Sequence, residues 1–259
     1  MPSEQRRRHV APRRSRPGIG HVVVGVISEL LLTLGVFLVA FLVWQMWWTD
    51  VQGNQAQAAI VKDLGWAVIP SVTADPSATA SASAAPDPRR YTPPPVLDEP
   101  AKTTTFATLL VPRWGADYQR PVSEGVDRVA VLDRLGIGHY PGTAMPGAVG
   151  NFAVAGHRTT YGKPFNRIAE LKVGDALVVR TEATWYVYRV TSTEIVAPQD
   201  VAVIAPVPDQ AGAEPTARMI TLTSCHPMYS ASQRYVVHGT LDYWEPTSGP
   251  APAELTGAA

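Results

Sequence analysis

Residues 218–241 read RMITLTSCHPMYSASQRYVVHGTL. Two runs rich in β-branched and aliphatic residues, Arg218–Ser224 and Tyr235–Tyr243, enclose a polar loop, the pattern of two strands joined by a short connection. The first run carries the only cysteine of the chain, Cys225, to its end. His226 and Pro227 follow, and a proline cannot donate to a ladder, so pairing stops there. The second run is preceded by Arg234. If the two strands pair, the guanidinium returns beside the thiol at the same end of the sheet.

Similar short runs lie upstream at Thr105–Val111, Asn151–Ala155, Ala176–Arg180 and Thr184–Ile195, separated by turns containing Gly and Pro. Thr184–Ile195 (TWYVYRVTSTEI) alternates most cleanly and predicts a half-buried antiparallel strand. Short helices are expected near Val126–Leu135 and Phe165–Leu171. Many short strands with few helices predict an all-β domain whose sheet closes into a barrel. The domain is expected over residues 103–245, about 150 residues, which is enough for one core. The sequence has no internal repeat, no Gly-rich phosphate loop and no Cys/His metal spacing, so neither cofactor nor metal is expected.

The overall net charge of zero averages unlike parts. Residues 1–20 hold Arg6, Arg7, Arg8, Arg13, Arg14 and Arg16 against one acid, Glu4. Residues 22–43, VVVGVISELLLTLGVFLVAFLV, hold one charge, Glu29, and no proline. At about 1.5 Å per residue such a run covers a hydrocarbon core about 30 Å thick. Trp44, Trp47 and Trp48 follow, where indoles favour the interface. A transmembrane anchor is therefore expected over 21–48. The run is too long for a cleaved signal, and no small-residue cleavage pattern follows it. Basic flanks stay in the cytoplasm, which predicts a cytoplasmic tail over 1–20 and an extracellular remainder. Beside such a segment the arginines are read as topology, and no nucleic-acid partner is expected. Residues 49–70 predict a juxtamembrane helix continuing the anchor, with Ala59, Ile60, Leu64 and Trp66 roughly on one face. Residues 71–102 are Ala/Ser/Pro-rich, too poor in apolar surface to order, and are expected to form a stalk. Residues 246–259 are expected to form a disordered tail.

Outside the membrane a lone cysteine is a buried small hydrophobe, a site of intermolecular pairing or a functional thiol. A functional thiol needs a base or cation to ionise near neutrality. Among the histidines of the domain, His157 closes the apolar run NFAVAGH and so also leaves a strand. His226 adjoins Cys225, but neighbours in extended chain point to opposite faces. His238 lies within an apolar strand and reads as structural; His139, in GHYPG, reads as a turn residue. Attack on an acyl carbon also needs an oxyanion donor, for which Arg234 is the candidate.

The set TLTSCHP…RYVVHG, with AGHRTTYGKPF and GHYPGTAMPGAVGN upstream, resembles the sortase family of Gram-positive cell-surface transpeptidases, most closely the class E sortases of actinobacteria. The likeness covers roughly residues 103–244 and extends to the anchor-plus-linker layout. Sortases carry TLxTC; here the motif is Thr221-Leu222-Thr223-Ser224-Cys225, with serine where threonine is usual, which keeps the hydroxyl. The resemblance implies a closed eight-stranded barrel with short helices. It casts Cys225 as nucleophile, His157 as general acid and Arg234 as oxyanion or substrate-positioning donor, with no third carboxylate. It further implies substrates that are secreted proteins with an LAxTG- or LPxTG-type C-terminal signal, cut between Thr and Gly, and an amine acceptor on the peptidoglycan precursor. Tyr140, in the loop before the histidine strand, matches the tyrosine associated with class E recognition, and Thr223 and Ser224 line the same site. No calcium site of the class A kind is expected. Two other readings stay open: a pilin-polymerising or hydrolytic relative, and a catalytically silent barrel that binds cell-wall peptides.

Overall fold

The computed structural model describes residues 19–68 and 89–256. The chain divides into two compact units, Met1–Met46 and Trp47–Ala259. The basic tail, except for residues 19 and 20, and the first part of the expected stalk lie outside the described residues.

The described part of the first unit belongs to α1 (Ile19–Asp63), a helix of 45 residues. Its N-terminal portion is apolar on every side, with Leu30, Phe37 and Leu42 all exposed, and it is long and apolar enough to cross a membrane. The expected juxtamembrane helix is the continuation of α1, and it stops short of residue 70. Gly65, at φ +62, closes it by donating to Lys62 O at 3.1 Å, a left-handed cap that glycine adopts without strain.

The second unit holds β1 (Thr105–Leu110), β2 (Gln119–Glu124), β3 (Ile137–His139), β4 (Gly150–Ala155), β5 (Ala176–Arg180), β6 (Thr184–Val196), β7 (Arg218–His226) and β8 (Gln233–Pro246). They close into a barrel in the order β1-β2-β3-β4-β7-β8-β6-β5. The β2–β3 and β4–β7 ladders are parallel, and the others antiparallel. Leu109, Val122, Phe152, Val154, Leu177, Val179, Ile220, Leu222 and Val237 fill the interior, as side chains do in barrels of this size. The two expected helices are the short helical turns Arg128–Leu132 and Ile168–Glu170.

Two strands are silent in the sequence. β2 reads QRPVSE, and its Pro121 is tolerated because the β3 ladder begins only at Val122. β3 is three residues long. Its last residue, His139, is a buried strand residue rather than a turn residue. It stacks on Phe152 at 5.2 Å, and its Nδ1 lies 2.6 Å from Glu124 Oε2.

Both ends of the domain depart from expectation. β6 is antiparallel, but its first half is buried on both faces. Tyr186 and Tyr188 enter the core, while Trp185 and Val187 join Leu110, Val178 and Tyr243 in a second, outer cluster. Ala251 and Leu255 cover that cluster from the tail. Within the tail, α2 (Ala253–Thr256) brings Glu254 to Arg189 and to the Tyr243 hydroxyl. The expected disordered tail is thus ordered through residue 256, because an apolar outer face needs a cover. The last part of the expected stalk also lies on the barrel. Tyr186 Oη donates to Pro95 O at 2.7 Å, Trp244 Nε1 to Thr92 O at 2.8 Å, and Gly142 N to Glu99 Oε1 at 3.2 Å. Carbonyls of a proline-rich stretch satisfy donors on the large aromatic side chains of the barrel.

Candidate active site

β7 alternates across the barrel wall. Ile220 and Leu222 point inward, so Thr221, Thr223 and Cys225 share the outer face. On β8, Val237 points inward, and Arg234, Val236 and His238 share that outer face. Cys225 and Arg234 are direct cross-strand partners. In an antiparallel pair their Cα atoms are about 4.5–5.5 Å apart with side chains on one side. Arg234 Nη1 donates to Ala231 O and Gln233 O, both at 2.9 Å, which ties the guanidinium to the β7–β8 loop and leaves Nε and Nη2 as its remaining donors.

His157 lies two residues beyond β4, whose last residue, Ala155, pairs in parallel with Thr223. The bonds flanking His157 continue that alignment. Gly156 N donates to Thr223 O at 3.2 Å, and Ser224 Oγ donates to Gly156 O at 2.8 Å. Arg158 Nη1 donates to Cys225 O at 3.2 Å and to His226 Nδ1 at 2.7 Å. The residues before and after the imidazole are therefore both fastened to the strand end that carries the thiol. Ser224 does this with its hydroxyl alone, so serine serves where threonine is usual.

A carboxylate completes the histidine side. Asp133, at the end of the Arg128–Leu132 turn, accepts from His157 Nε2 at 2.6 Å. That bond places a proton on Nε2 and leaves Nδ1 as the nitrogen free to take up or give a proton. The expectation of no third carboxylate is corrected here. Asp133 lies 24 residues before His157 and reaches it only because β2 and β3 return the chain past β4.

Tyr140 and Thr223 also meet, the two hydroxyls being 3.0 Å apart. Because Thr223 and Cys225 share a face, the Tyr140 hydroxyl reaches the thiol's side of β7. Behind it, burial pushes the Glu124 carboxyl above the ordinary range against the opposing pull of His139. His139 Nε2 meets Thr143 Oγ1 at 2.9 Å, so the buried pair braces the loop that carries Tyr140.

Sequence reasoning missed Asp133, Arg158 and Tyr161, whose ring lies 5.4 Å from that of His157. Arg158 adjoins His157 in AGHRTTYG and was within reach; nothing local marks Asp133. His238 is structural as read. Its Nδ1 lies 2.9 Å from Thr221 Oγ1, whose hydroxyl donates to Asn151 Oδ1, and its Nε2 lies 2.9 Å from Glu194 Oε1. Among the described residues, Glu194, Asp209 and His238 are the group with donor atoms close enough to hold a cation, within 4.8 Å of one another. Burial and the neighbouring Glu194 push the Asp209 carboxyl above its ordinary value.

The closed barrel thus brings a thiol, an imidazole and a guanidinium to neighbouring strand ends. Residues 109–242 match the model of the Sortase domain family, and the chain belongs to that family. It is 35% identical over 253 residues to sortase SrtE1 of Streptomyces coelicolor, covering 94% of this chain and 64% of that protein. It is 32% identical over 249 residues to sortase SrtE2 of the same organism, covering 91% and 89%. The SrtA sortase from Actinomyces oris superposes with a TM-score of 0.61 at 43% identity, covering 64% of this chain and 95% of that one. The sequence resemblance to class E is thereby established.

Proposed function

We propose that this chain is a membrane-anchored cysteine transpeptidase of C-terminal sorting signals, with α1 as a single-pass anchor, the N-terminus cytoplasmic and the barrel outside the cell membrane. The observation that carries the reading is the direct pairing of Cys225 with Arg234, with His157 fastened to the same strand end by bonds on either side.

The Cys225 thiol gives its proton to His157 Nδ1, and the resulting thiolate attacks the carbonyl carbon of the threonine in an LAxTG- or LPxTG-type signal. The carbonyl electrons move to oxygen, where Arg234 donates to the oxyanion. Collapse re-forms the carbonyl and breaks the Thr–Gly bond, and His157 gives its proton to the departing glycine amine. An amine of the peptidoglycan precursor then attacks the thioester, loses its proton to His157 and releases the thiolate. Asp133 keeps the imidazole oriented, Tyr140 and Thr223 shape the substrate side, and Ser224, on the opposite face of β7, holds the backbone before His157 through Gly156 O. Covalent catalysis by one thiol needs no metal or cofactor in any of these steps.

The test is incubation of the chain with an LAxTG-tailed peptide and a glycine-type amine. Release of the C-terminal fragment, a thioester on Cys225 by mass spectrometry and loss of both in Cys225→Ala are expected. Hydrolysis without amine transfer would favour the hydrolytic relative, and peptide binding without an adduct would favour the silent barrel.

A further inference from the structure

The loop that follows His157 rests on α1. Gly53 approaches the Tyr161–Gly162 backbone so closely that a Cβ at this position would stand 2.5 Å from Gly162 N and 2.8 Å from Tyr161 O. One turn later Gln57, 0% exposed, donates from Nε2 to Tyr161 O at 2.9 Å. One turn earlier Asp50 pairs with Lys163 at 2.8 Å. Residues 50, 53 and 57 recur at helical spacing, so one face of α1 addresses this loop. On the same stretch, Asn54 Oδ1 accepts from Arg120 Nη2 at 2.7 Å, which fastens the helix to β2 as well.

The loop needs such support. Tyr161, Gly162 and Lys163 have φ of 53°, 77° and 37°, a left-handed run that residues with a Cβ adopt only when their surroundings hold them there. Tyr161 tilts at 35° against the His157 ring, and Phe165 N donates to His157 O at 2.9 Å. From Gly53 to the imidazole is thus a path of two contacts through a single residue.

We propose that the Asp50–Gln57 stretch of α1 positions His157. It holds Tyr161 in its left-handed conformation, and Tyr161 fixes the plane of the imidazole. Asp50, Gly53 and Gln57 are positioning residues, and the inference rests on reading His157 as the general acid. The anchor helix is then part of the catalytic apparatus rather than only a tether.

The experiment uses the full chain in detergent micelles, comparing wild type with Gly53→Leu, Asp50→Lys and the charge-swapped Asp50→Lys/Lys163→Asp. Hydrogen exchange of residues 157–166 reads the loop, and kcat and KM for an LAxTG-tailed peptide read the chemistry. Gly53→Leu is expected to speed exchange in that segment while sparing β7 and β8. It should lower kcat about tenfold with KM within about twofold, the signature of an interaction felt in the transition state. Asp50→Lys is expected to lose less, and the charge swap to recover it. Unchanged exchange overturns the proposal, and so does a loosened loop with unchanged kcat. A wild-type chain that releases no fragment, while Gly53→Leu still loosens the loop, sinks the transpeptidase reading alone.

Discussion

The two halves of the candidate site are built by different means. Cys225 and Arg234 sit in a ladder of eight consecutive register pairs, from Met219↔Thr240 to His226↔Gln233. Backbone hydrogen bonds dictate which side chains face each other there, and a slip of one residue would turn the thiol into the barrel. His157 stands past the end of its strand and is held by side chains: Asp133 on its ring, Ser224 and Arg158 on its neighbours, Tyr161 against its face. The proposed nucleophile is fixed by secondary structure and the proposed acid by tertiary contacts. The first is hard to adjust without breaking the sheet, whereas the second can be tuned from a distance.

The sharpest way to test this contrast is on the ladder side. Arg234→Ala should leave the fold intact, since its guanidinium is bonded only to loop carbonyls among the contacts described. Loss of an oxyanion donor costs about 10²–10³ in kcat. Steady-state kinetics on the sorting-signal peptide, with circular dichroism as the control for folding, checks it. A loss below tenfold would move Arg234 to substrate positioning.

On the contact-held side the expected effects are smaller and graded. A hydrogen bond to a charged group is worth about 1.5–3 kcal/mol, so Asp133→Ala should lower kcat about 10- to 100-fold. Asp133→Asn keeps an acceptor for Nε2 and loses only the charge, so it should fall between wild type and Asp133→Ala. Equal losses in the two variants would mean that only the charge matters. No loss in either would leave the imidazole held by Tyr161 and its backbone alone.

The smallest effect belongs to the Tyr140 loop. Burial raises the Glu124 carboxyl above its unfolded value. The folded state therefore prefers the protonated acid, and that contribution is full below the unfolded carboxylate range and is lost as pH rises through the raised folded value. Glu124→Gln removes this titration. The difference in melting temperature, variant minus wild type, should become more positive from about pH 4, where free carboxylates begin to ionise, up to neutrality. A flat difference would mean that the His139 bond cancels the cost of burial.

How far the sequence could be read depended on how local each feature is. β1, β4, β5, β6, β7 and β8 were legible because each carries a β-branched or aromatic run of its own. β2 hid behind Pro121, and β3 offers three residues with a glycine at the centre. Both are strands because their neighbours supply the hydrogen bonds. The same division runs through the site. Cys225, His157 and Arg234 stand at ends of legible strands, while Asp133 comes from the connection between the two illegible ones. The tail and the end of the stalk were misread for a related reason. Ala251, Leu255, Pro94 and Glu99 carry little local signal, and their partners lie far away in the chain.

The amino-acid sequence by itself determined the membrane-compatible helix, the all-β class, the family and the identity of the thiol, imidazole and guanidinium. Each of these follows from composition, period-two alternation or a contiguous motif, which are properties of neighbouring residues. Only the tertiary structure decided what surrounds them: the carboxylate on His157, the hydroxyl pair of Tyr140 and Thr223, and the turn of α1 against the histidine loop. Those contacts join residues between 24 and 104 positions apart. No local pattern encodes such pairings, because they exist only once the barrel has closed and its loops have packed against one another.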